Sequence, residues 1–142
     1  MIYGAAYAVS AGVTHSAQYA LAALLKASND GDYRFIDEVK VYGERAKIMK
    51  RMFIENGFSI VYDTDVDEPI ADGFYFTVSY PTLTGEDLIE ELLYYGISAI
   101  SLSNTGSERL EGIRACVSLI DESDLPELER RLQAFHRNHA RV

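Results

Sequence analysis

The sequence has one cysteine and no tryptophan among its 142 residues. With Cys116 alone, no internal disulfide can form, which fits a reducing, cytoplasmic setting. Basic clusters are lacking as well. Lysine and arginine number 13 against 22 acids, for a formal net charge of -9. Such a balance argues against nucleic acid and against anionic membranes as partners. No uncharged run is long enough to span a bilayer, because Lys26 interrupts the longest apolar stretch. The opening residues, Met1 to Ala8, lack the positive region of a signal peptide. Three motifs are also absent: the Gly-x-Ser-x-Gly elbow, the Gly-x-Gly-x-x-Gly turn and the Gly-x-x-x-x-Gly-Lys loop. Their absence removes the commonest signatures of serine hydrolases, dinucleotide binding and nucleotide phosphate binding.

What is present is an ordinary globular composition, 48% hydrophobic and 25% charged, and enough chain for a core of useful size. Residues 1–14 are small and apolar with no clear period. The spacing predicts a helix over 16–28, apolar on nearly all sides and so expected to be buried all round, stopped by Asn29-Asp30-Gly31. A second helix is expected from Tyr33 to Asn56. Its apolar face is Ile36, Val39, Tyr42, Ala46, Met49 and Phe53, and Gly57 follows it. It would reach roughly 35 Å, long enough to join two bodies.

Beyond it the pattern predicts strands at 58–62 and 73–80, separated by an acidic loop. A helix capped by Thr84 follows, with Leu88, Ile89, Leu92 and Leu93 on its apolar face, and Gly96 closes it. Strands at 97–102 and 112–119 flank a polar loop, and a last helix carries Leu125, Leu128, Leu132 and Phe135. The order β-β-α-β-β-α after two helices predicts an α/β protein of the two-layer α+β kind, with helices on one face of the sheet. The division expected is a helical segment at 1–57 and an α/β domain at 58–142.

Few residues stand out chemically. His136 and His139 are three apart on a helix, a spacing that can clamp a metal, but the expectation is a solvated helix end. Asp63, Asp65, Asp67 and Glu68 resemble half a calcium loop without its glycine and distal glutamate, so a solvated acidic loop is expected. Cys116, inside the apolar strand 112–119, reads as an inert core thiol. The loop Ser101 to Ser107 is polar enough to meet an anion but has the composition of a turn. Arg114 is the outlier, a long cation on a strand made of Ile113, Cys116, Val117 and Leu119. Such a charge either points outward or is held to meet an anion.

Several segments in order resemble the C-terminal small domain of the fold-type I, class I/II pyridoxal-phosphate-dependent aminotransferases. The first is Asp72-Gly73-Phe74-Tyr75-Phe76-Thr77-Val78, similar to an aromatic strand of that family. A loop with Pro81 follows, then Glu86 to Ile97, similar to its helix, glycine and strand. Ile113-Arg114-Ala115-Cys116-Val117-Ser118 resembles its apolar-Arg-apolar strand, and Asp124 to Leu128 opens a closing helix. The helix beginning Ser16-Ala17-Gln18-Tyr19 resembles the one that follows the cofactor-binding segment.

The resemblance implies that Arg114 binds the α-carboxylate of an amino acid or 2-oxo acid substrate. It also implies pyridoxal 5'-phosphate in the parent enzyme, with none bound to this chain. The family's Schiff-base lysine precedes the Ser16 helix. No lysine lies there, and Lys26, Lys40, Lys47 and Lys50 match nothing in the pattern. The chain therefore resembles the C-terminal third of an aminotransferase that would not transaminate alone, with no catalytic, cofactor-binding or metal-binding residue of its own. A homo-oligomer is expected from the apolar first helix. The alternative is a non-catalytic α/β ligand-binding or interaction module.

Overall fold

The computed structural model describes residues 12–70 and 73–140, together with Gly4 and Ala8. Most of the aperiodic 1–14 stretch lies outside the described residues, as do Ala71 and Asp72 at the start of the resembling segment. Two compact units divide the chain, Met1–Val39 and Lys40–Val142.

In the first unit, α1 runs His15–Asp30 and ends at Gly31, whose φ of 84° only glycine adopts freely. The expected all-round burial is not found. No residue of α1 is buried, and Tyr19, Leu21, Leu24 and Leu25 are all exposed. The described residues of this unit contain no sheet, so α1 has no layer of its own unit to cover its sides.

Helix α2, Phe35–Glu55, contains the boundary between the units. Its C-terminal half buries Ala46, Met49, Met52 and Phe53, spaced as one helical face. Gly57, at φ 83°, ends the helical run, and the Phe58 N–H reaches back to the Phe53 carbonyl at 3.1 Å.

The second unit is built on a four-stranded antiparallel sheet of β1 (Ser59–Ile60), β4 (Tyr75–Ser79), β6 (Ile113–Cys116) and β5 (Ile100–Ser101), in that spatial order. The period of two then assigns faces. Phe76 pairs with Ala115 and Val78 with Ile113, and all four are buried. Tyr75 pairs with Cys116 and Thr77 with Arg114, on the opposite face, where Ile100 also lies across from Arg114. Helices α3 (Gly85–Leu93) and α4 (Leu125–His139) send Leu88, Leu92, Leu125, Leu132 and Phe135 into the same core as Phe76, Val78, Ile113, Ala115 and the α2 residues. The unit is a mixed α/β fold with its helices on one face of a small antiparallel sheet.

Local chemistry explains the helix starts. The Thr84 hydroxyl accepts from the Asp87 N–H at 3.2 Å and donates to the Asp87 carboxylate at 2.8 Å, fixing the first turn of α3. A 3₁₀ turn, Glu122–Asp124, leads into α4, with the Asp121 N–H on the Asp124 carboxylate.

Four expectations need correction. The acidic loop is a small hairpin, β2 (Thr64–Asp65) with β3 (Glu68–Pro69), turning at Val66 with φ 56°. Acidic side chains hid it from the pattern because both strands are fully exposed. The strands predicted at 58–62 and 97–102 shorten to two residues each. The strand predicted at 112–119 stops at Cys116; the Val117 N–H makes one further bond, to the Phe74 carbonyl at 2.7 Å, the Ile120 N–H then turns back to the Val117 carbonyl, and Leu119 is 82% exposed. Finally, His136 and His139 do not lie on a solvated end. His136 Nδ1 is 2.9 Å from the Tyr80 hydroxyl, and the His139 ring stacks on Phe135 with centroids 4.0 Å apart and bonds to Glu91.

Helix α4 is also clamped at its start. Glu127 accepts two 2.7 Å hydrogen bonds from Arg130 and one of 2.9 Å from Arg131, whose guanidinium also donates to the Gly96 carbonyl. Hydrogen bonds from Arg130 first and Arg131 second push the Glu127 carboxyl down to about 2. A carboxyl lowered by folding stabilises the fold above its ordinary value of 4.5, and the contribution is lost as pH falls toward 2. The urea midpoint of Glu127→Gln is therefore expected to lie below that of the parent above pH 4.5, the gap closing by about pH 2. A gap that stays constant with pH would contradict the clamp.

Candidate functional site

Arg114 stands second on β6, one of two central strands, on the face away from the helices. Its guanidinium carbon is 4.4 Å from the centroid of the Tyr75 ring, on the neighbouring strand β4. Cross-strand register makes this possible. Tyr75 opposes Cys116 and Thr77 opposes Arg114, so the arginine leans diagonally along the face onto the ring. The ring holds the planar cation by its quadrupole, worth about 0.5–1 kcal/mol at an exposed site. Among the described residues no carboxylate comes within ion-pair distance of Arg114. The sequence left two readings open for this residue; the structure puts it on the face away from the helices, half-buried, with no ion pair among the described residues.

Cys116 shares that face, which corrects its reading as an inert core thiol. It is half-buried at the end of β6, with its sulfur 3.4 Å from the Ser118 hydroxyl. Burial pushes its pKa up, but hydrogen bonds from the Ser118 side chain and from the Ser118 and Leu119 backbone, with the Arg114 charge, outweigh it and bring the thiol below its ordinary value.

The polar loop after β5 does not hold a free anion cradle. Ser101 and Ser103 turn their hydroxyls onto the Glu86 carboxylate of α3. The Ser103 hydroxyl first, then the backbone N–H of Glu86 and the Ser101 hydroxyl, hold that carboxyl below its ordinary value. The far end of the loop crosses toward the opposite edge of the sheet: Ser107 Oγ lies 2.7 Å from the Tyr62 hydroxyl.

Gly112 makes this closure possible. A Cβ there would fall 2.9 Å from Val61, after β1, and 3.0 Å from Leu102, after β5, so side chains from both edges meet above the start of β6. Leu102 is 3% exposed yet lies apart from the main core, in this second small cluster. Sequence reasoning singled out the loop that holds Ser107 but not its partner Tyr62, nor Tyr75 as the partner of Arg114, since cross-strand partners depend on register, which the alternation of one strand does not reveal.

Among the described residues no group of three or more histidine, cysteine or acidic side chains could hold a metal. No described helix is long and apolar enough to cross a membrane. Lys47 and Lys50 lie on α2, whose buried face packs on the side of the sheet opposite Arg114; Lys47 pairs with Glu44, and Lys50 lies over the Phe76 ring. Lys26 pairs with Asp30 on α1. No family model matches the chain, and no curated protein matches it.

Proposed function

We propose that this chain is the C-terminal portion of a pyridoxal-phosphate-dependent aminotransferase, and that Arg114 is its ligand for the substrate α-carboxylate. The observation that carries the reading is the setting of Arg114: on the face of the sheet away from the helices, with its guanidinium carbon 4.4 Å from the centroid of the Tyr75 ring and without a described carboxylate partner. A guanidinium presents two parallel N–H donors, which match the two oxygens of a carboxylate. Two such charge-assisted bonds fix the position and the plane of an amino acid or 2-oxo acid. The ordered likeness of segments 16–24, 72–78, 86–97, 113–118 and 124–128 to that family supports the same reading.

In the parent the cofactor supplies the amino-group chemistry. This chain supplies no residue for it, so its own contribution is to hold the substrate. Association is part of the proposal: the exposed apolar sides of α1 favour a homo-oligomer, and light scattering at tens of micromolar is expected to show species larger than the monomer.

The test is the reading frame upstream of Met1. An in-frame segment with a lysine in a serine/lysine-rich turn, expressed with this chain, is expected to give an aminotransferase. In it, Arg114→Gln should raise KM for the amino donor on the order of 100-fold, since two charge-assisted hydrogen bonds are lost, with cofactor absorbance unchanged. Without such a segment, or with KM unmoved by Arg114→Gln, the reading fails. The chain would then be an α/β ligand-binding or interaction module.

A further inference from the structure

The sheet face away from the helices has an acidic hairpin rooted at its edge. Tyr62 follows β1, and its backbone N–H donates to Thr77 Oγ1 at 3.1 Å. Thr77 is the direct cross-strand neighbour of Arg114. The hairpin β2–β3 begins two residues beyond Tyr62. At its far end a cleft of about 390 Å³ joins Ile70, just past β3, to Tyr75 and Thr77.

The charges of this region have no answer within the chain. Asp63, Asp65, Asp67 and Glu68 are all exposed, and no described side chain pairs with any of the four. Arg114 has the opposite charge and the same lack. Arg109 differs: its guanidinium carbon lies 5.2 Å from the Tyr62 ring centroid, and it already meets Glu111 at 3.5 Å. The chain therefore carries an acidic hairpin and a guanidinium, both unpaired among the described residues, and does not join them.

The side chains around them have the composition of an interface centre. Tyr62, Ile70, Phe74, Tyr75 and Ile100 are all exposed, and Ile100 lies directly across from Arg114. Aromatic side chains and arginine are enriched at the centres of protein interfaces, where lysine and the acids are depleted. A second copy of the chain supplies what the face lacks. A two-fold contact makes each complementary pair twice, and a guanidinium takes both oxygens of a carboxylate in parallel. Two chains of net charge -9 repel on average, and a cation set against an acidic hairpin reverses that repulsion locally.

We infer that this face is a self-association surface, on which two copies meet about a two-fold axis with the Arg114 of each on the hairpin carboxylates of the other. The contact is separate from association through α1. It stands whether or not Arg114 serves a substrate in a parent enzyme.

The test combines nitrogen-15 NMR of this chain on dilution with sedimentation of charge variants. On dilution from millimolar to micromolar concentration the amides of Asp65, Asp67, Thr77 and Arg114 are expected to shift, while that of Leu88 in α3 stays in place. Arg114→Glu should weaken the contact at least about tenfold, and Asp65→Arg with Asp67→Arg should do the same. All three changes in one chain should restore it, because the charges are then exchanged and not lost; a general loss of folding would not be repaired in this way. Shifts confined to α1, or sedimentation that neither set of changes moves, would overturn the inference. So would weakening by each set with no recovery when they are combined. If Arg114→Glu does not fold, the dilution series on the unaltered chain decides.

Discussion

Phe135→Ala is expected to remove about 3–5 kcal/mol of stability, the usual loss for a fully buried phenylalanine. Phe135 is 0% exposed on α4. It is where the helical layer converges. Phe58, Tyr80 and Tyr95 lie with ring centroids 5.5, 5.0 and 5.4 Å from it, and His139 stacks on it at 4.0 Å. Those rings come from the end of α2, the end of β4 and the end of α3, so truncation opens a cavity that no one element can collapse to fill. A domain of this size has only about 5–15 kcal/mol in all. The urea midpoint should fall by a third or more, and the melting temperature by about 10 °C. Leu119→Ala is the comparison. Its side chain is 82% exposed, and the change should cost less than about 0.5 kcal/mol. Similar losses for the two substitutions would mean that α4 does not close the core.

That pair also marks how much of the molecule was legible beforehand. Phe135 was on the predicted apolar face of the last helix, because a period of 3.6 over fourteen residues leaves little choice of side. Leu119 was placed on a buried strand, because a short apolar run cannot show where its ladder ends. Beyond Cys116 one cross-strand bond remains, from the Val117 N–H to the Phe74 carbonyl, before the Ile120 N–H turns back to the Val117 carbonyl, a pattern invisible in residue types. The exposed hairpin at Thr64–Pro69 escaped for the opposite reason: with neither face buried, its residues carry no alternation.

The site divides the same way. Arg114 stood out because a charge on an apolar strand calls for an explanation. Tyr75 and Tyr62, the rings that carry the two arginines, did not. Tyr75 and Arg114 are 39 positions apart, and the fold alone brings them together through the register of β4 on β6. The histidines misled because helix-end position suggests solvent, whereas their rings fill the space between α4, Tyr80 and α3.

Gly85→Ala should destabilise by about 1–3 kcal/mol or more, although alanine is the better helix former. Gly85 opens α3, and its N–H donates to the Leu110 carbonyl at 2.8 Å. The helix therefore starts pressed against the segment leading into β6. A Cβ at Gly85 would fall 2.4 Å from the Gly112 carbonyl oxygen, which is backbone and cannot swing aside, and 3.1 Å from the Ser101 Cβ. That same carbonyl accepts from the Leu102 N–H at 3.1 Å, so moving it breaks the pairing of β5 with the entry to β6. Gly112 cannot adapt by taking a side chain's place or another backbone shape, since its φ is 107° and Val61 and Leu102 close over it.

The damage should thus reach two residues further, to Arg114, and show as shifted Arg114 and Thr77 amide resonances where the variant still folds. Gly43→Ala is the control of opposite sign. Gly43 sits exposed inside α2 with nothing within 4 Å of a Cβ, so alanine there should raise stability by about 0.8–1 kcal/mol. If both substitutions stabilised, α3 would have slack against β6. The position of Arg114 would then be set by its own strand, not by the helix beneath it.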